Sequence, residues 1–340
     1  MKPRKTVRRE RPADRDQSPN ARRASALPTG APEVAAIAVG PSAVPEHLFR
    51  RLLGAYLSGA WEFEVRERGG ISPATREVVR GFARRTRQPE VVSDDGAVLR
   101  LRDIAFESPV PLEERLTRMG RMVLDFHREA VDSWSRLPLG EDEDWERRDD
   151  EIDREAWYLQ RLAALHRTTE PAGPDLLGLW TVARSLERIA DHAVVLATVG
   201  PRLVDLPRGA APSTSLRQFH AQAMEHLAGV LGERDPDAVN SLLDTGAALS
   251  GSGRSLADRL LPGVGGSSMP PATAAAVARI LESIGRTIAY SQDIAQVALD
   301  RPAAHAPPRL LPAGRAGPSR RPLPERPAAL RERLLTPAVP

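Results

Sequence analysis

Leu186-Glu187-Arg188-Ile189-Ala190-Asp191-His192-Ala193 sits inside a longer segment, about 174–200. There Leu179, Val182, Leu186, Ile189, Ala193 and Leu196 recur at the three- and four-residue steps of one helical face. Such a stripe makes the segment a helix buried along one side. Glu187 and Asp191 are four residues apart, so they stand on one flank of that helix about one turn, ~6 Å, from each other. A pair of acids placed in this way is half of a site, and a neighbouring helix has to supply the other half.

The segment upstream carries a matching pair. Trp145, Asp149, Ile152, Ala156, Leu159 and Ala163 repeat at the same steps, with Asp149 inside the apolar stripe and Asp153 one turn further on. Leu112, Leu116, Met119, Val123, Phe126 and Ala130 mark another helix before it, so residues 109–204 read as a three-helix bundle. Helices in such bundles lie roughly 8–10 Å apart, which lets Asp149 and Asp153 meet Glu187 and Asp191 around one cation. Crowded carboxylates repel, and a cation with oxygen ligands relieves the repulsion. The competing reading is a solvated face paired with Arg147, Arg148, Arg154 and Arg188. On spacing alone that reading is the stronger, because acids four apart are common on ordinary helices.

Downstream, about 213–233, 237–261 and 271–300 are again helical, giving a second trio over 211–300. Ile280-Leu281-Glu282-Ser283-Ile284-Gly285 parallels Ser185-Leu186-Glu187-Arg188-Ile189-Ala190, each in the last helix of its trio, which suggests an internal duplication.

The region before the helices is different. Val34–Val39 is an apolar run of strand length, Pro45–Leu57 carries paired apolar residues on one helical face, and Glu62–Arg66 alternates as a half-buried strand does. Ser72-Pro73 is a helix start, with a capping serine and a proline suited to the first turn, and the helix runs to about Arg85. Glu90–Val92 and Val98–Ile104 flank the turn Asp94-Asp95-Gly96 as a hairpin. Residues 33–108 therefore read as a small α/β domain of order βαβαββ.

The 340 residues contain no cysteine, which excludes disulfides and thiolate ligands, so any metal is held by oxygen or imidazole. The net charge is +3, and much of the basic excess falls in residues 1–32 and 301–340, Arg- and Pro-rich stretches without periodicity that read as disordered tails. The arginines of the first tail lack interleaved aromatics or glycines, which favours a solvated tail over a nucleic-acid-binding arm. The start lacks the apolar run of a secretory signal and no run is long enough to span a membrane, so the expectation is a soluble, cytoplasmic protein.

Four stretches together carry a resemblance: LERIADHA at 186–193, DDEIDREA at 149–156, the doubled three-helix layout, and HLFRRLLGAYLSGAWEFEVRERGGISPATREVVRGFARR at 47–85. They resemble the PhoU family of phosphate-uptake regulators, most of all the archaeal-type members in which an α/β segment precedes the bundles. The resemblance covers about residues 33–300. It implies a mainly α fold of two consecutive three-helix bundles that bind divalent or trivalent metal ions, such as iron, zinc, manganese or magnesium, through acidic motifs of the form E/D-x-x-x-D. It further implies a non-enzymatic regulator that contacts the phosphate ABC transporter ATPase and a sensor histidine kinase, is peripheral to the membrane through those partners, and can form a homodimer. Carried over by position, the metal motifs fall on Asp149 and Asp153 and on Glu187 and Asp191.

Two departures follow from the same comparison. In the second trio Glu282 is kept, but Arg286 replaces the second acid, and Gly246 and Ser250 stand where Asp149 and Asp153 would be. Three of the four acids are lost together, as a co-operating cluster loses them, and this turns the balance towards a metal site in the first trio with a degenerate second one. Residues 1–32 show none of the strands of the AbrB-like DNA-binding domain that archaeal-type relatives often carry, which argues against direct DNA contact. Two rivals stand beside the regulator. A carboxylate-bridged di-metal enzyme wants Glu-x-x-His pairs, and His192 lies at the wrong step from Glu187. A DNA-binding regulator of phosphate genes rests on analogy with relatives.

Overall fold

The computed structural model describes residues 34–40, 44–103, 111–135, 144–166, 176–205, 211–261 and 269–300; the two segments expected to be disordered lie outside them. The chain is mainly helical, with a small four-stranded sheet ahead of the helical region.

The first layer contains β1 (Val34–Val39), α1 (Pro45–Leu57), β2 (Glu62–Glu67), α2 (Pro73–Arg85), β3 (Pro89–Asp94) and β4 (Val98–Asp103). The strand order is β1-β2-β4-β3, with β1 and β2 parallel and the other neighbours antiparallel. Alternation decides the faces. Ile37, Val39, Phe63, Val65, Leu99 and Leu101 turn inward to a core completed by Leu52, Tyr56, Val79 and Phe82 from the helices. The intervening residues form a charged face in which Glu62 pairs with Arg102 and Glu64 with Arg66 and Arg100. Ser72 caps α2, its side chain accepting the Thr75 amide at 3.2 Å, with Pro73 opening the first turn. In the β3–β4 turn Gly96 has φ of +83°, a conformation that costs glycine little.

Six helices follow: α3 (Leu112–Asp132), α4 (Trp145–His166), α5 (Leu176–Val199), α6 (Ala211–Gly232), α7 (Pro236–Leu260) and α8 (Pro271–Leu299). α3, α4 and α5 agree closely with the apolar periodicity of their segments, and α6, α7 and α8 fall on the three ranges expected for the second trio. α3, α4 and α5 pack on one another, as do α6, α7 and α8, and α5 packs along α8. The two trios share one apolar core: Leu186, Ile189 and Ala193 of α5 and Ile280, Ile284 and Ile288 of α8 are all fully buried in the same cluster. Each such large aliphatic side chain contributes about 1.5–3 kcal/mol by leaving water.

α4 also joins the helical part to the α/β layer. Its Trp157 enters the α/β core beside Phe49, ring centres 6.0 Å apart. Arg161 reaches through the same junction to donate to the Tyr56 carbonyl and to Asp103, with its guanidinium over the Tyr56 ring. Glu155 receives Arg87 from the α/β layer at 2.6 Å and Arg115 from α3 at 3.2 Å. One helix thus bears both the anchoring pairs and two of the four predicted acids, Asp149 and Asp153.

Candidate metal centre

The stripe that buries Ile152 and Ala156 of α4 also carries Asp149 and Asp153 towards α5. There, Asp149 and Asp153 meet Asp191. Each offers a carboxylate oxygen, and the three oxygens lie within 4.8 Å of one another. Asp153 is buried, Asp149 half-buried, and Asp191 is exposed at the rim. Among the described residues this is the one group of three such ligands.

Glu187, the fourth acid expected in the site, does not join the group. One of its oxygens lies 3.4 Å from Arg184 on the same helix, and the other, Oε2, is buried without a hydrogen-bond partner. It remains close enough to act through its charge. Burial pushes the Asp149 carboxyl up to about 7, helped by the negative charges of Asp191, Asp150 and Glu187. Asp153 is pushed up to about 8 by burial and then by Asp149, Glu187 and Asp191. Glu187 and Asp191 are raised as well, chiefly by burial, with Arg184 opposing.

These values describe acids that carry an energetic cost when all are ionised at neutral pH. A cation removes that cost. Three carboxylate oxygens and no sulfur make a donor set for oxygen-preferring cations such as magnesium or manganese. Asp149 Oδ1 is buried with no hydrogen-bond partner, an orphan that a cation would satisfy. The residues present therefore fit a metal ion, which Asp149, Asp153 and Asp191 would hold with Glu187 beside them.

Residues 116–199 match the PhoU domain, from Leu116 in α3 to Val199 at the end of α5. This chain carries a PhoU domain. No curated protein gives a match. All four predicted acids lie inside the PhoU domain, and the match supports a role in regulating phosphate uptake.

One charged neighbour of the acids comes from outside the PhoU domain. Arg85, the last residue of α2, places Nη2 2.8 Å from Asp150 and 3.6 Å from Asp153. Nothing in the sequence points to this contact, because 65 positions of chain and a change of layer separate α2 from Asp150. His192, next to the PhoU motif acids, turns away: Nδ1 lies 3.3 Å from the Ser283 hydroxyl, and the ring stacks on Tyr290 of α8.

The second-trio positions expected from the sequence to match these acids are built differently. A Cβ on Gly246 would stand 2.8 Å from Gln292 Cγ and 2.9 Å from His226 Nε2, so no acid fits there without rearrangement. Ser250 donates to the Gly246 carbonyl, Glu282 is exposed, and the Arg286 guanidinium lies 5.5 Å from the centre of the Tyr290 ring.

Proposed function

We propose that the protein is a non-enzymatic, metal-binding regulator of phosphate uptake that acts by docking to a phosphate ABC transporter ATPase, a sensor histidine kinase, or both. The observation that carries this reading is the meeting of Asp149, Asp153 and Asp191 within 4.8 Å inside the PhoU domain. What a cation supplies there is charge: it lets buried carboxylates stay ionised together and ties α4 to α5. The trio α6–α8 is a degenerate copy of α3–α5, in which Gly246, Ser250 and Arg286 have replaced acids and the structural role has outlived the metal role.

No described helix is long and apolar enough to cross a membrane. Membrane contact in this reading is made through the transporter, from the cytoplasmic side. Metal analysis of protein purified without chelator tests the site: bound divalent metal is expected, lost in the Asp149→Asn, Asp191→Asn double variant. Metal-free wild-type protein, or metal retained by the variant, overturns the assignment. For the regulatory role, co-purification with the transporter ATPase is expected, and its absence under conditions where both are expressed counts against docking.

A further inference from the structure

The acids and the cation beside them belong to different parts of the fold. Asp149, Asp150 and Asp153 are on α4, while Arg85 ends α2 in the α/β layer. Its guanidinium is held in place by more than one contact. It pairs with Asp150 at 2.8 Å, and its carbon lies 5.2 Å from the centre of the Phe49 ring and 5.6 Å from that of Trp157. Flat aromatic faces hold a guanidinium with little loss of its charge.

The contact to Asp153 is of a different kind. At 3.6 Å it is longer than a hydrogen bond, so it is an electrostatic contact that can be exchanged without breaking the Asp150 pair or leaving the rings. The other cations near the cluster are committed on α5: Arg184 lies against Glu187, and Arg188 donates to the Tyr290 hydroxyl at 3.3 Å. Among the described residues, Arg85 is the one cation that forms an ion pair with a member of the three-aspartate group.

We propose that Arg85 is the resident counter-cation of the aspartate group and competes with a divalent ion for Asp153, thereby setting the affinity of the site. This rests on the metal-binding reading above. A single positive charge a few ångströms from the ion's position raises the dissociation constant, and a doubly charged ion outbids it for the same carboxylate where a singly charged one does not. The α/β layer stays docked during the exchange, because Arg161 to Asp103 and Arg87 to Glu155 hold it independently of Arg85. An α/β layer placed ahead of a PhoU domain thereby tunes the site in that domain.

The test is a titration of Mn²⁺ into chelator-stripped full-length protein, with free Mn²⁺ read by electron paramagnetic resonance, for wild type and for Arg85→Met, Arg85→Gln and Arg85→Lys. The two neutral variants are expected to bind Mn²⁺ about tenfold tighter, the size of change expected for removing one nearby, partly screened charge. Arg85→Lys keeps the charge and is expected to stay near wild type. Circular dichroism confirms that each variant is folded, and the glutamine variant, which retains a polar side chain of similar reach, stands in if the methionine variant fails to fold. Unchanged or weaker Mn²⁺ binding in the neutral variants overturns the role of Arg85 while leaving the metal site standing. If Mn²⁺ stays free with wild type and neutral variants alike, the metal reading and this inference fall together.

Discussion

Arg161 Nη2 donates to Asp103 Oδ2 at 2.9 Å with both side chains 1% exposed, a buried ion pair that joins α4 to the last strand of the sheet. Removing only the cation leaves a carboxyl that burial already pushes up to about 6 without its partner. Arg161→Ala is expected to lower stability by about 3–5 kcal/mol, the usual result of breaking a buried pair from one side. Denaturant unfolding measures it. The combination Arg161→Met with Asp103→Leu is expected to recover most of the loss, because packed apolar groups replace a buried pair at little net cost.

The aspartate group predicts how the metal-free protein responds to pH. Asp149 and Asp153 have folded values of about 7 and about 8 against an ordinary 3.8, so the folded state binds more protons than the unfolded state between these limits. Their contribution to stability is fully present below 3.8 and is lost as pH rises through about 7 and about 8. In chelator, the melting temperature is expected to fall as pH is raised from 6.5 to 8.5. Asp149→Asn with Asp153→Asn is expected to flatten that slope. Millimolar Mn²⁺ is expected to flatten it in wild type and to do nothing in the double variant. A slope unchanged by the two substitutions would assign the pH response elsewhere.

Much of this could be read from the sequence, for reasons that differ by element. The helices were legible because each has one wet and one dry side, so the three- and four-residue steps of Leu186, Ile189 and Ala193 print the fold directly. Ser72-Pro73 announced α2 through capping chemistry that is local. The closeness of Asp149 and Asp153 to α5 was legible for the same reason, since they share a flank with buried Ile152 and Ala156. Glu187 stands beside the group of three because a side chain of its length reaches Arg184 one turn back, a choice made by rotamers and not by helical phase. Arg85 was invisible. Its partners are fixed by how the α/β layer docks on α4, and docking depends on long-range contacts such as Trp157 with Phe49 that leave no period in the sequence.

The second trio supplies a negative prediction. Glu282 is exposed, Ser250 is occupied with the Gly246 carbonyl, and Gly246 has no room for a side chain. Glu282→Ala is therefore expected to leave metal content unchanged, and a marked loss would mean that a second site exists. Gly246→Ala is expected to destabilise the fold by about 1–3 kcal/mol, because its Cβ must displace Gln292 or His226. Metal content measured alongside thermal melts separates the two effects.

A pair of histidines at the meeting of α3 and α6 predicts the acid limb. His127 is fully buried; its Nε2 lies 2.7 Å from the Ile189 carbonyl and its Nδ1 3.2 Å from Nε2 of His220. A carbonyl only accepts, so His127 carries its proton on Nε2, and Nδ1 accepts from His220. Burial pulls His127 down to about 4, and burial together with His127 pulls His220 down to about 3, against an ordinary 6.5. Here the unfolded state binds more protons, so their stabilising contribution is present above 6.5 and is lost as pH falls from 6.5 towards 4. Over that same interval the aspartates gain stability on acidification, which masks the histidines in wild type. The effect is expected to emerge when the two are separated. In the Asp149→Asn, Asp153→Asn background, the melting temperature should fall on acidification from pH 6.5 to 4.5, and adding His127→Phe with His220→Leu should reduce the fall. His127→Ala alone, at pH 7.5, is expected to cost about 2–4 kcal/mol through the cavity and the unpartnered His220 N–H it leaves. An acid limb untouched by the histidine substitutions would show that the α3–α6 contact does not govern it.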